Sequence, residues 1–98
     1  MWKVAIFDDN QVVVDALCRS IDWKSMNCSI CGVASNGTDA LAVINNAQPN
    51  IVITDILMPE FSGLELAAMA KKTHQSTKFI IITGFSNAKF ARQSVRLS

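Results

Sequence analysis

Residues 51–59 read Ile51-Val52-Ile53-Thr54-Asp55-Ile56-Leu57-Met58-Pro59, and this stretch decides the fold. Ile51 to Thr54 are all β-branched, so they favour a strand. They do not alternate apolar with polar, which is the pattern of a strand buried on both faces, as in a parallel sheet. Val4-Ala5-Ile6-Phe7 and Phe79-Ile80-Ile81-Ile82 have the same character. Cys28 to Ala34, apolar and partly β-branched, reads as a further strand.

Helical patterns separate these runs. Val13, Leu17 and Ile21 are spaced four apart in a segment from Asn10 to Ile21, with Asn10 as N-cap. Asp22 to Asn27 reads as a loop. Asn36-Gly37-Thr38 is a turn signal, with Asn36 or Thr38 capping a helix that carries Ala40, Leu41, Ile44 and Ala47 on one face. Asn45 to Asn50 reads as a loop, and Pro49 stops helix continuation. After a loop from Pro59 to Gly63, Leu64, Ala67, Ala68 and Lys71 open a third helix, with Lys71 and Lys72 suited to its C-terminal dipole. The fourth strand is expected over Lys78 to Thr83 and a fourth helix over Ser86 to Leu97, with Ala88, Ala91 and Val95 on one face. Strands alternating with helices in this way predict an α/β fold with a parallel sheet.

Composition narrows the function. The chain has 98 residues, half of them apolar, so one domain with a packed core is expected. Nine basic residues against eight acidic ones leave a net charge of +1, which gives no electrostatic case for direct contact with nucleic acid or for an anionic membrane. The apolar runs are too short to span a bilayer, and residues 1–4 do not open a secretory leader. Three cysteines, Cys18, Cys28 and Cys31, form no disulfide framework, so a cytoplasmic location is expected.

In open parallel sheets, function gathers at the carboxyl ends of the strands. The first strand ends in Asp8-Asp9, the third in Asp55 and the fourth in Thr83-Gly84. If the first and third strands are neighbours, three carboxylates meet. Close like charges raise one another's pKa, and a hard divalent cation such as Mg2+ offsets them with oxygen ligands. A carboxylate nucleophile, a metal and a hydroxyl donor together suit phosphoryl transfer. A single Asp at a strand end is ordinarily an N-cap or turn residue, and Asp9 alone would be read so. The whole set at three strand ends is harder to assign to capping.

Taken together, residues 4–10 (VAIFDDN), residues 51–59 with Gly63, and residues 80–86 (IIITGFS) resemble the receiver domain of bacterial two-component response regulators. The likeness runs from about Lys3 to Ser98. It implies a flavodoxin-like, doubly wound parallel sheet, here with four βα units in strand order 2-1-3-4. It also implies that the domain over residues 1–98 lacks a counterpart of the family's fifth strand and last helix, whose lysine pairs with the phosphoryl group. Lys89, Arg92 and Arg96 do not match that lysine. The fourth strand would then be an apolar edge open to pairing, and a homodimer through it or through the fourth helix is a further expectation.

The resemblance assigns Asp55 as phosphoacceptor, and Asp8 and Asp9 as the acids that bind Mg2+ together with Asp55. Leu57 matches the position whose backbone carbonyl completes the metal site, so its side chain is free to be apolar. Thr83 matches the hydroxyl that bonds the phosphoryl group and switches. Met58 would lie over the site, and Asn10 stands where the family often has Glu. The implied partners are a sensor histidine kinase and the protein's own output domain. Ile21-Asp22-Trp23 and the segment from Phe85 to Leu97 resemble receivers joined to an AraC-type helix-turn-helix output. Such a domain is a signalling phosphoacceptor and not a turnover enzyme.

Three other functions compete. A phosphatase of the haloacid dehalogenase type needs Asp-x-Asp after the first strand, whereas Asp8 is followed two residues later by Asn10. A flavodoxin-like FMN module needs a Ser/Thr/Gly-rich loop where Asp9-Asn10-Gln11-Val12 stands. A degenerate receiver used for docking would not need to keep the acceptor and both acids. Other residues read as structural: Cys28 and Cys31 on opposite faces of a strand, His74 in a solvated loop, Trp2 and Trp23 packed at the sheet edge and loop, and Lys71-Lys72 on a solvated helix face.

Overall fold

The computed structural model describes residues 1–82; the expected fourth helix, with Thr83, Lys89, Arg92 and Arg96, lies outside the described residues. The elements are β1 (Trp2–Phe7), α1 (Gln11–Ser20), a 3-10 turn (Lys24–Met26), β2 (Cys28–Ala34), α2 (Gly37–Ala47), β3 (Ile51–Asp55), α3 (Gly63–Thr73) and β4 (Lys78–Ile82). They form one parallel sheet in the order β2-β1-β3-β4, as expected.

The apolar runs explain the centre of the sheet. Val4 to Phe7 of β1 are fully buried. Ala5 and Phe7 join Val52, Ile44, Leu66 and Phe79 in the core beneath α2 and α3. Val4 and Ile6 face the other way, into a smaller cluster with Val14 of α1 and Cys28. Among the described residues, one helix therefore sits on one face and two on the other. The chain leaves β1 toward β2 on one side, and β3 pairs with β1 on the other, so a crevice opens at the carboxyl ends of β1 and β3.

Local chemistry sets the ends of the helices. The Asn10 side chain caps α1 at Val12 N, and Asn36, not Thr38, caps α2 at Asp39 N. Ser62 and Glu65 form a capping box at α3. Helix α2 continues through Asn45 and Asn46 to Ala47 and ends where Gln48 turns left-handed, one residue before Pro49. Polar residues there are solvated on the outer face and do not break the helix. The buried stripe of α3 is Gly63, Leu66, Ala67 and Ala70, whereas Ala68 and Lys71 are exposed.

Two strands depart from the sequence reading. β4 was expected to be buried on both faces, but Ile80 is 48% exposed while Phe79 and Ile81 are buried. The cause is coverage: α3 packs on one face of β4, and among the described residues no helix covers the other. In β2 the register with β1 slips between Ile30 and Gly32, leaving Cys31 as an extra residue. Cys28 and Cys31 still lie in different core clusters, on opposite faces.

Candidate functional site

The register of β1 against β3 pairs Phe7 with Thr54, so the residues that follow, Asp8 and Asp55, emerge side by side. Asp8, Asp9 and Asp55 each offer a carboxylate oxygen, and these oxygens lie within 4.8 Å of one another. Asp8 is buried, Asp55 half-buried and Asp9 exposed. The three acids expected to converge do so, at the carboxyl ends of the two central strands.

Backbone donors fix two of these side chains. Asn10 N donates to Asp8 Oδ1 at 2.9 Å, and Ile56 N donates to Asp55 Oδ1 at 2.8 Å. Burial pushes the Asp8 carboxyl above the ordinary carboxylate range. The Asn10 bond opposes that shift, and the charges of Asp55 and Asp9 add to it. Burial also raises Asp55, against the N–H groups of Ile56 and Leu57, with Asp9 contributing repulsion. Two carboxyls so placed are costly to ionise together, and a divalent cation among them would remove that cost. The donor set is all oxygen with one exposed member, which fits Mg2+ with part of its water retained.

The loop from Ile56 to Ser62 follows Asp55 directly and leads into α3. Leu57 is 51% exposed. The Met58 side chain packs against the core under α2 and α3, with its sulfur 4.0 Å from Thr54 Oγ1. The loop also reaches α2. Gly37 N donates to Pro59 O at 2.9 Å, and Thr38 N donates to Glu60 Oε1 at 2.9 Å. Hydrogen bonds from the Thr38 N–H and hydroxyl hold the Glu60 carboxyl below its ordinary range. Sequence reasoning passed over Glu60, because a glutamate in an exposed loop carries no signal of a contact 22 residues away.

Thr83 lies outside the described residues. Of the residues read as structural, Trp23 donates its indole N–H to Leu17 O at 3.1 Å and packs beside α1. Trp2 is 55% exposed at the opposite end of the sheet from the carboxylates. His74 caps α3 and stands 3.1 Å from Asn45 Oδ1.

A parallel 2-1-3-4 sheet with three acids at the ends of β1 and β3 is the arrangement the resemblance implies, and residues 4–98 match the response regulator receiver domain family. The chain belongs to this family. The receiver domain is 35% identical over 96 residues to the transcriptional regulatory protein YesN of Bacillus subtilis, covering 98% of this chain and 26% of YesN. It superposes on the receiver (REC) domain of AraT, a response regulator from Geobacillus stearothermophilus, with a TM-score of 0.92 and 30% identity, covering 99% of this chain and 75% of the other. A DNA-binding response regulator of the LuxR family from Staphylococcus aureus gives a TM-score of 0.82 at 29% identity, covering 100% and 81%. Among the described residues of the receiver domain, no helix is long and apolar enough to cross a membrane.

Proposed function

We propose that this receiver domain accepts a phosphoryl group on Asp55 from a phosphohistidine of a sensor kinase and passes the change to an output domain. The single observation that carries the reading is the convergence of Asp8, Asp9 and Asp55 within 4.8 Å. Asp55 keeps one oxygen occupied by Ile56 N, which leaves the other to attack phosphorus. In that step the oxygen–phosphorus bond forms, the phosphorus–nitrogen bond breaks, and the imidazole leaves with its electron pair and takes up a proton.

Asp8, Asp9 and Asp55, with the Leu57 carbonyl, would hold Mg2+. The ion, when bound, supplies charge neutralisation for the carboxylates and the incoming phosphoryl oxygens. Asp8 fixes the geometry from its buried position on Asn10 N, and exposed Asp9 gives the site its open side. Thr83, next after Ile82, whose register partner is Asp55, is proposed as the hydroxyl that bonds the phosphoryl group and moves with it. A phosphoacceptor of this kind turns over only its own aspartyl phosphate.

The output is proposed to be DNA-binding transcriptional control in the cytoplasm. Relatives that are themselves transcriptional regulators support this, and the chain spans only about a quarter of YesN's length. The AraC-type form of that output rests on Ile21-Asp22-Trp23 and the segment after Phe85. A homodimer through β4 or through the fourth helix is also proposed, supported by the place of β4 at the edge of the described sheet.

Mass spectrometry after incubation with Mg2+ and acetyl phosphate tests the reading. The expected result is the gain of one phosphoryl group, lost when Asp55→Asn is combined with Asp9→Ala. Phosphate found on Asp8 in place of Asp55 would favour a phosphatase-type nucleophile and end the proposal.

A further inference from the structure

The first turn of α2 is capped from two directions. Asn36, just before the helix, accepts from Asp39 N at 2.8 Å. The N–H groups of Gly37 and Thr38 are met by the loop after Asp55, through Pro59 O and Glu60 Oε1, each at 2.9 Å. Unpaired donors in a helix's first turn need partners, and here a segment distant in sequence provides two of three.

The contact is close and conformationally costly. A Cβ on Gly37 would stand 2.5 Å from both the Cβ and the backbone N of Phe61, so the helix end presses directly on the loop. Glu60 itself has φ 76°, in the left-handed region where glycine or asparagine is favoured. A β-carbon in that conformation persists when surrounding contacts over-determine it, and the bond to Thr38 N is such a contact. At its other end the loop is tied to the sheet: Ile56 N donates to Ile82 O at 3.1 Å, and Gly63 N donates to Ile56 O at 2.8 Å. Leu57 lies between the two anchorages.

We propose that Glu60 is a positioning residue for the phosphoryl-transfer site, its carboxylate latching the loop to α2 so that the Leu57 carbonyl is held toward the acid cluster. This role rests on the reading of Asp8, Asp9 and Asp55 as a divalent cation site. Groups that orient metal-ligating atoms typically change metal affinity by about 10–100-fold when removed.

The discriminating variants are Glu60→Gly and Glu60→Gln in the 98-residue chain. Glycine adopts the left-handed conformation without strain and removes only the latch, so the fold is retained. Glutamine keeps the Oε1 acceptor and removes the charge. Mg2+ titrations followed by amide NMR should show affinity weakened about tenfold in Glu60→Gly and wild-type affinity in Glu60→Gln. Exchange of the Thr38 amide should be faster in the glycine variant alone. A Glu60→Gly chain that binds Mg2+ as the wild type does overturns the role of Glu60. So does a glutamine variant as weak as the glycine one, since long-range charge would then be the cause. A wild-type chain that shows no Mg2+ response overturns the reading of the site itself, and the positioning role with it.

Discussion

The α-carbon of Gly63 faces the carbonyl oxygen of Asp55 so closely that a Cβ added there would stand 2.3 Å from that oxygen and 3.0 Å from Thr54 Cγ2. The obstacle is backbone of the central strand, not the end of a flexible side chain. Gly63→Ala must therefore move either α3 or β3. We expect a loss of about 1–3 kcal/mol, the usual cost of overpacking, read from urea melts. The acid cluster should lose its Mg2+ response in the same variant, because β3 carries Asp55. An alanine variant as stable as the wild type would show that α3 can shift freely.

Asp8 and Asp55 have raised carboxyl pKa values through burial, whereas the unfolded chain ionises near the ordinary value of about 3.9. Between those values the folded state holds protons that the unfolded state has released, so lowering the pH favours folding. Their contribution is fully present below the unfolded pKa and is lost as the pH rises through the folded one. Glu60, with its lowered pKa, acts in the opposite sense and withdraws its contribution below about pH 4.3. Without divalent ions, Tm should rise as the pH is lowered from neutral toward the unfolded value of about 3.9. Asp8→Asn or Asp55→Asn should raise Tm at neutral pH and flatten that profile. A flat wild-type profile, or amide variants no more stable than the wild type, rules this out.

Added Mg2+ should stabilise the wild-type chain by mass action, by about 2.7 kcal/mol at a hundred times its Kd. Asp9 is exposed, so Asp9→Ala should change intrinsic stability by less than about 0.5 kcal/mol. It should nonetheless abolish the shift in Tm that Mg2+ produces. Thermal melts with and without the ion check this, and a shift that survives in Asp9→Ala removes Asp9 from the ligand set.

Ser62 accepts from Glu65 N at 3.1 Å, while Ser62 N donates to Glu65 Oε1 at 3.0 Å. Ser62→Ala breaks the first of these bonds and should cost about 1 kcal/mol, measured by denaturant unfolding. A loss well under this would mean that water replaces the hydroxyl at the end of α3.

Much of the fold was legible. The all-apolar runs of β1 and β3 marked strands buried on both faces; Val4 to Phe7 are fully buried, whereas in β3 Val52 and Thr54 are buried and Ile51 and Ile53, on the other face, only half-buried. Asp8, Asp9 and Asp55 were legible as a group because each closes such a strand. Other features were not. The exposure of Ile80 depends on which helix covers each face, and strand composition does not encode that. The extra residue at Cys31 is invisible because the run from Cys28 to Ala34 is apolar on either side of it.

The sequence by itself determined which segments are strands and which are helices, since hydrophobic periodicity and capping residues act within a few positions of the chain. It also set the chemistry available at each strand end. Tertiary structure alone decided that the carboxylates of Asp8, Asp9 and Asp55 share a space 4.8 Å across and that Glu60 reaches Thr38. Distances between groups far apart in the chain follow from strand order and register, and those are settled only when the helices pack and the sheet closes around β1.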